Sequence, residues 1–308
     1  MARTNRQAIC DVLLRTAQTN KQLVVLCSDS RGSASMTPFA QKYPDQFVEV
    51  GIAEQNLVGV AAGLAMGGKQ TFAMSPASFL TTRSYEQVKV DVAYNCANVK
   101  LVGISGGVSY GALGMTHHSL QDYASMCALE GMRVYVPSDD RQTEKLVEAL
   151  VQDDKPAYIR VSRQASTQVY DDSMDFELDK ACVLSEGKDA VIVACGDMVA
   201  NAVGAAEMLR KEGLDVGVID MYCLKPFDKK TLLRIANNTR VLVTAEEHYP
   251  HGGLGSLVAQ TICAEHPMPV LQLSFPDEHL ISGENREIFH YYSLDSSGIA
   301  ASVKEFLR

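Results

Sequence analysis

Glu54 is a single carboxylate at the start of an apolar, glycine-spaced segment, GIAEQN followed by LVGVAAGLAMGG. The apolar pattern indicates a buried helix, and a buried charge is costly unless it is paired or used. Two interpretations are open: a first-turn carboxylate that complements the helix dipole, or a functional group that shares a proton with a ligand. Gly59, Gly63, Gly67 and Gly68 would allow close backbone packing, as at a tight interface.

Phe79 and two adjacent histidines are further candidates. Phe79 lies at the start of ASFLTTRSYEQ, where its ring either fills the core or stacks on a flat heterocycle. His117 and His118 lie in GMTHHSLQD, a polar stretch before a predicted helix and a suitable place for an acid–base group. Adjacent histidines point in different directions and HExxH spacing is absent, so we expect no metal site in this chain.

Two arginines and two glycine-rich loops are possible anion contacts. Arg160 and Arg163 close the predicted strand YIRVSRQ, where each side chain either meets an anionic ligand or forms a surface salt bridge. The loops SGGVSYGALG and HGGLGS either cradle an anion or form tight turns. Neither is a GxxxxGK[ST] loop, and no GxGxxG follows the first strand, so a dinucleotide fold is not indicated.

Alternating strands and helices must position these residues. Short apolar runs such as QLVVLCSD, QTFAM, VKLVGIS and AYIRVS are typical of buried strands, and longer helical patterns separate them. The alternation predicts mostly parallel sheets covered by helices on both faces. It is interrupted by a polar, acid-rich stretch, so we predict two three-layer α/β domains, residues 1–170 and 185–308, joined by a linker at 171–184.

Composition restricts the class of protein. The chain has 308 residues, a net charge of −9 and 46% hydrophobic residues. An acidic chain without a basic stripe is not expected to bind nucleic acid or an anionic membrane, and no apolar run has the length of a membrane span. The eight cysteines form no CxxC pair, which favours free thiols in a reducing compartment. We therefore predict a cytoplasmic protein.

Several motifs, in order, resemble the C-terminal half of a transketolase. They are GIAEQN with its glycine helix, ASFLTTRSYEQVKVDVAY, GALGMTHHSLQD, RVYVPSDD, YIRVSRQ and VTAEEHYPHGGLGS. The resemblance runs over nearly the whole chain. It implies that residues 1–170 are a pyrimidine-binding domain and that residues 185–308 are the smaller C-terminal domain.

The resemblance also implies roles for individual residues. Glu54 matches the glutamate that contacts the aminopyrimidine ring of thiamine diphosphate, and Phe79 matches the aromatic residue stacked on that ring. His117 matches a histidine near the substrate, and Arg163, with Arg6, matches arginines that bind the substrate phosphate. The predicted site therefore has three parts: catalytic Glu54 and His117; cofactor-binding Glu54, Phe79 and Arg83; substrate-binding Arg163, Arg6, His118 and Asp29.

The sequence departs from the family pattern at three positions. Many transketolases have a histidine at the position of Ser105 and an aspartate at that of Leu113, and both touch sugar hydroxyls in the family. Pro76 stands where a second aromatic residue often clamps the pyrimidine. The substitutions suggest a donor other than the standard pentose phosphates, such as another ketose with a phosphate or a different anionic tail.

The family's GDG motif, which binds the diphosphate and its Mg²⁺, does not occur in this chain. The resemblance therefore implies a partner subunit that carries GDG and the metal ligands, in an α2β2 complex that transfers a two-carbon ketol unit. Two alternatives share the fold: the beta subunit of a two-oxoacid dehydrogenase, and a non-catalytic partner subunit. The arginine-bearing strand and the histidine loop favour a sugar substrate.

Overall fold

Two β-sheets organise the protein, whose computed structural model describes residues 3–308. The strands are β1 (Leu23–Cys27), β2 (Phe47–Glu49), β3 (Gln70–Pro76), β4 (Val99–Ile104), β5 (Arg133–Tyr135), β6 (Ala157–Val161), β7 (Cys182–Ser185), β8 (Ala190–Ala194), β9 (Val216–Asp220), β10 (Cys223–Lys225), β11 (Val241–Ala245) and β12 (Val270–Leu273).

Helices cover both sheets. They are α1 (Asn5–Thr16), α2 (Thr37–Lys42), α3 (Glu54–Met66), α4 (Ala77–Thr82), α5 (Tyr85–Gln87), α6 (Asp122–Cys127), α7 (Asp140–Val151), α8 (Met198–Lys211), α9 (Lys229–Ala236), α10 (Leu254–Glu265), α11 (Asn285–Tyr291) and α12 (Ser296–Phe306). Short 3-10 helices span Pro44–Gln46 and Gly111–Thr116, and a π-helix spans Val88–Tyr94.

The first sheet has the order β10-β5-β6-β4-β3-β1-β2, and all of its strands run parallel except β10. Its central strands are buried on both faces, as their continuous apolar runs predict. Side chains of α1 and α7 pack on one face, and side chains of α3 and the π-helix pack on the other. Because the strands are parallel, their carboxyl ends share one edge.

The second sheet has the order β12-β11-β8-β9-β7, with only β7 antiparallel. One apolar cluster continues from α3 and β4 of the first sheet to Val191 and Val193 of β8 and to α10, so the two layers share a core. The predicted fold class, two α/β units with mostly parallel sheets, is confirmed.

The predicted domain bounds stay a prediction. Strand β7 begins at Cys182, inside the stretch assigned to the linker, and β10 pairs with β5 of the first sheet although it follows β9 of the second. Part of the stretch assigned to the linker therefore belongs to the second sheet, and a strand after the linker belongs to the first sheet.

One segment with a continuous helical pattern, FLTTRSYEQVKVDVAYN, is helical but divided. It forms α4, α5 and the π-helix, with Arg83 and Ser84 between the first two. A wider helical turn such as the π-helix is frequent near functional sites. Arg83 donates to Glu54, the first residue of α3.

All eight cysteines are free thiols; four are buried, two are half-buried, and Cys96 and Cys263 are exposed. None of the helices within residues 3–308 combines the length and apolarity that a bilayer crossing requires.

Candidate active site

The predicted site residues lie where the chain leaves the strands of the first sheet. Asp29 follows β1, Phe79 follows β3, and Arg163 follows β6. His117 lies in the long loop after β4, and Glu54 starts the helix after β2. Ligands of open α/β sheets bind at this edge, beyond the carboxyl ends of the strands. We call the surface at this edge the cleft.

Glu54 is the first residue of α3 and is only 5% exposed. The sequence suggested an isolated carboxylate, but the structure gives it a partner: Nη1 of Arg83 donates to both carboxylate oxygens, at 3.1 and 3.0 Å. The side chain of Arg83 is 48% exposed, so solvent screens this pair. The pair therefore holds Glu54 at the cleft without removing it from the reach of a ligand.

Phe79 connects this ion pair to the histidine loop. The guanidinium carbon of Arg83 lies 4.1 Å from the centre of the Phe79 ring, which is cation–π contact. The His117 ring meets Phe79 edge-on, with 5.1 Å between the ring centres. Phe79 is half-buried, so the core interpretation of this residue does not hold, and its ring is part of the cleft wall.

The loop after β4 presents two aromatic rings to the cleft. His117 packs edge-on against Tyr110, with 5.7 Å between the ring centres. Its Nδ1 lies 2.9 Å from the hydroxyl oxygen of Thr116, which fixes the ring's orientation. The chain reverses at Gly114, whose φ of 70° is in the left-handed region that glycine adopts without strain.

Two guanidinium groups lie at the far end of the cleft. The guanidinium carbon of Arg163 is 5.1 Å from the centre of the Tyr110 ring. Arg6 donates to the backbone carbonyls of Ser33 and Arg163, and its Nε is buried without a partner among residues 3–308. Burial, followed by the charge of Arg163, lowers the pKa of Arg6. Two adjacent cations with an unused donor favour an anion between them.

These contacts join into one line across the cleft, which we call the contact string: Glu54, Arg83, Phe79, His117, Tyr110, Arg163 and Arg6. At one end are a carboxylate and an aromatic ring, and at the other are the guanidinium groups of Arg163 and Arg6. Sequence reasoning missed Tyr110, which joins the two halves. Its only signal was its place in the glycine-rich loop before GMTHH.

Two further predicted residues lie outside the contact string. Asp29 is exposed, has a left-handed φ of 53°, and donates its backbone N–H to Oε1 of Glu49 at 2.6 Å. His118 is buried, and neither of its ring nitrogens has a partner within residues 3–308. Burial, the main cause, lowers the pKa of His118. Both assignments stay predictions.

Two of the three positions that depart from the family pattern, Ser105 and Leu113, differ in exposure. Ser105 is buried, has a left-handed φ of 55°, and its hydroxyl has no partner in the described chain. Leu113 is 54% exposed on the loop that carries His117. A short hydroxyl and an apolar side chain therefore stand where many family members have longer polar groups.

Arg160 does not face the cleft. It is buried, its Nη2 donates to Oε2 of Glu247 at 2.7 Å, and its Nε lies 3.4 Å from Oδ2 of Asp122. Both interpretations from sequence, an anionic ligand and a surface salt bridge, are therefore wrong for this residue. Its partners are protein carboxylates in the interior, where a guanidinium must be paired.

The glycine-rich loops also bind protein carboxylates. Backbone N–H groups of Leu254 and Gly255 donate to Glu246, at 2.7 and 2.8 Å. The N–H of Val108 donates to Oε1 of Glu247 at 2.8 Å. The loops are anion cradles, but each anion belongs to the chain itself.

The residues around Glu54 suit an aminopyrimidine ring. Such a ring needs a carboxylate that accepts a hydrogen bond and an aromatic surface for stacking, and Glu54 and Phe79 supply both within reach of one side chain, Arg83. The guanidinium of Arg83, which is flat and donates hydrogen bonds, contacts both the carboxylate and the aromatic ring. Within residues 3–308, no three His, Cys, Asp or Glu side chains form a group that could hold a metal ion.

Family comparisons divide the chain between β6 and β7. The family described as "Transketolase, pyrimidine binding domain" matches residues 1–168, and the family described as "Transketolase, C-terminal domain" matches residues 179–299.

Individual relatives match over most of their length. A subunit of the apulose-4-phosphate transketolase of Phocaeicola vulgatus is 46% identical, covering 98% of this chain and 97% of the relative. A subunit of the 6-deoxy-6-sulfo-D-fructose transketolase of a Clostridium species is 38% identical, covering 88% and 84%. A solved structure described as "Split gene transketolase, inactive beta4 tetramer" is 36% identical, with a TM-score of 0.89, covering 100% of this chain and 99% of that one.

Proposed function

Because the chain belongs to the transketolase family, we propose that it is the second subunit of a split, thiamine-diphosphate-dependent transketolase that moves a two-carbon ketol unit from an anionic ketose to an aldose. The observation that carries this proposal is the contact string. It joins a buried carboxylate and an aromatic ring to a histidine and two guanidinium groups along one edge of the sheet.

The carboxylate end of the contact string is the proposed cofactor site. Thiamine diphosphate, when bound, supplies the nucleophilic carbon and electron sink that C–C cleavage beside a carbonyl requires. Glu54 shares a proton with a ring nitrogen of the aminopyrimidine, and Phe79 stacks on that ring. Arg83, which contacts both residues, balances the charge of Glu54 and must adjust when the ring enters.

The other end is the proposed substrate site. His117 is the acid–base group for a sugar hydroxyl, held in orientation by Phe79, Tyr110 and Thr116. Arg163 and Arg6 bind the anionic tail of the ketose.

His118 and Asp29 are proposed to contact the sugar from the two sides of this cleft. The unpartnered ring nitrogens of His118 and the exposed carboxylate of Asp29 support their assignment.

A ketose phosphate is the expected donor. The names of the two relatives specify a phosphate and a sulfo group on the sugar. An arginine pair suits either anion because the guanidinium fork matches tetrahedral oxyanions. Ser105 and Leu113, without the family's longer polar groups, support a donor whose shape differs from that of the standard pentose phosphates.

A partner subunit with the GDG motif completes the proposed enzyme and supplies the Mg²⁺ ligands, in an α2β2 complex in the cytoplasm. A Cβ atom added at Gly63 of α3 would meet no atom within 4 Å among residues 3–308, so this helix face is open at that position. Exposed apolar residues flank it, including Ile52 at 76% and Tyr94 at 84%. Surfaces of this kind mark protein interfaces. The related solved structure, a tetramer of beta subunits, is described as inactive.

The test is to purify the chain with and without the GDG-bearing protein that binds it, and to assay both with thiamine diphosphate and Mg²⁺. We expect ketol transfer from ketose phosphates only in the complex, and no oxidative decarboxylation of pyruvate. Turnover of pyruvate would instead identify a two-oxoacid dehydrogenase beta subunit. An active partner that does not need the cleft residues of this chain would identify a non-catalytic subunit.

A further inference from the structure

Two consecutive glutamates, Glu246 and Glu247, follow β11 of the second sheet, and both are buried. Each enters one of the two glycine-rich loops. Within its own layer, Glu246 accepts from the backbone N–H groups of Leu254 and Gly255 at the start of α10. It also accepts from the hydroxyl of Tyr123 at 3.2 Å.

Glu247 reaches in the other direction, to the loop after β4. Its Oε1 accepts from the N–H of Val108, and its Oε2 and its backbone carbonyl accept from Nη2 of Arg160, at 2.7 and 3.1 Å. A Cβ added at Gly107 would overlap the Glu247 carboxyl group, and one at Gly106 would overlap Arg160. The two glycines therefore leave the space into which this ion pair fits.

The same loop carries the substrate-facing side chains. Its base is closed by a pair of hydrogen bonds between Gly107 and Ser119, at 3.0 and 2.8 Å. The segment between them includes Tyr110 and His117. The backbone N–H of Tyr249, which follows β11 of the second sheet, also donates to the carbonyl of Leu120 at 2.9 Å. A loop anchored at its base presents its tip in one orientation.

We propose that Glu247 is a positioning residue: through Arg160 and Val108 it fixes the loop on which Tyr110 and His117 face the substrate, so the C-terminal half shapes the substrate site without touching the substrate. This inference rests on the proposed function for its kinetic consequence, whereas the tether itself depends only on the structure. The rate depends on holding catalytic groups in position within fractions of an ångström. A looser loop should therefore lower turnover, although Glu247 does not touch the substrate.

The first experiment compares hydrogen–deuterium exchange of backbone amides in the full chain, without cofactor or substrate. Glu247→Gln keeps the side-chain size but loses the charge that faces Arg160. We expect exchange in residues 105–120 to rise by about ten-fold or more, because a hydrogen bond to a charged group is lost, while α10 stays protected. Tyr123→Phe is the matched control, since it removes the buried cross-layer bond of Glu246 and leaves the loop tether intact.

Faster exchange in residues 105–120 and α10 alike would mean general destabilisation and would overturn the tether. If Glu247→Gln does not fold, the triple substitution of Asp122→Asn, Arg160→Met and Glu247→Met removes all the charges of this buried cluster, an exchange that buried ion pairs and triads often tolerate. The same local loss of protection is expected for it, and retained protection would contradict the proposal.

The second experiment measures kinetics in the complex with the partner subunit. Glu247→Gln should lower kcat/KM for the ketose donor by about ten-fold and leave the affinity for thiamine diphosphate unchanged, because the tethered loop faces substrate. An unchanged kcat/KM despite a loosened loop would overturn the positioning role. A wild-type complex inactive on all ketose phosphates would overturn the proposed function instead, while the exchange result would still decide the tether.

Discussion

At the scale of single residues, the chemistry depends on pairs that the fold creates. Glu54 is buried and bound to a half-exposed arginine, so its charge is balanced. Glu54→Gln keeps the size of the side chain and cannot share a proton with the aminopyrimidine. We expect ketol transfer to fall by roughly 10²–10⁴, as for other acid–base groups, with little change in thermal stability.

The measurement is steady-state ketol transfer by the complex, together with binding of thiamine diphosphate. Glu86→Gln, an exposed carboxylate on α5 away from the contact string, is the control and should retain full activity. A folded, cofactor-loaded Glu54→Gln enzyme with near-wild-type kcat would show that Glu54 is not the activating carboxylate.

Arg163 tests the anion end of the contact string. Its side chain is exposed beside Tyr110, whereas its backbone carbonyl, which Arg6 binds, is unaffected by substitution. Arg163→Ala should raise KM for a ketose phosphate by about ten- to a hundred-fold, the effect of losing a charge-assisted contact, with kcat nearly unchanged. The comparison is with a ketose that lacks the anionic tail, which should be a poor substrate for both proteins and insensitive to the change. An equal loss for both donors would place Arg163 in a structural role.

At the scale of elements, α3 carries Glu54, the proposed cofactor contact, at its start and has an open helix face at Gly63. Gly63→Leu places a Cβ atom where no atom of residues 3–308 lies within 4 Å, and it removes a poor helix former, which favours the helix by about 1 kcal/mol. We expect the isolated chain to be at least as thermally stable as wild type, but its association with the partner subunit to weaken, because the face no longer permits close packing.

Analytical ultracentrifugation of the mixed subunits measures this effect. Glu207→Leu adds the same side chain to an exposed position of α8 and should leave association unchanged. Normal assembly of the Gly63→Leu chain would mean that α3 does not contact the partner.

At the scale of the whole molecule, Asp220 of β9 joins the second sheet to residues of the first layer. Its Oδ2 accepts from Tyr170 at 2.9 Å and from Gln142 of α7 at 2.8 Å. Burial, opposed by these hydrogen bonds and assisted by Asp139, raises the pKa of Asp220 from 3.8 to about 7. The unfolded chain therefore releases this proton at a lower pH than the folded one. Stability from Asp220 is complete below pH 3.8 and is lost as the pH rises to about 7.

Asp220→Asn removes this titration. Its free energy of unfolding relative to wild type should increase between pH 4 and 7, by at most about 1.4 kcal/mol per pH unit. Urea unfolding at several pH values in that range measures the difference. Glu305→Gln, at an exposed carboxylate on α12, is the control. A flat profile for Asp220→Asn would show that Asp220 is already ionised in the folded protein.

The sequence by itself determined the alternating architecture, the family, and most of the local elements. Apolar runs and helical periods are properties of neighbouring residues, so β1, β3, β4 and α3 lie where their patterns predict. The family motifs, likewise, are short strings of adjacent residues. The roles assigned to Glu54, Phe79, His117 and Arg163 come from those motifs and stay predictions until they are tested.

Tertiary structure alone decided which charged side chains are exposed at the edge of the sheet and which are paired with protein carboxylates in the interior. Arg160 and Arg163 are three residues apart on one strand end, yet the first is buried among carboxylates from distant segments and the second is exposed in the cleft. Arg83 and Glu54 are 29 residues apart in sequence and form an ion pair because the fold brings the start of α3 beside the end of α4. The energy of a charge depends on burial and on partners brought together across the chain, and local sequence specifies neither.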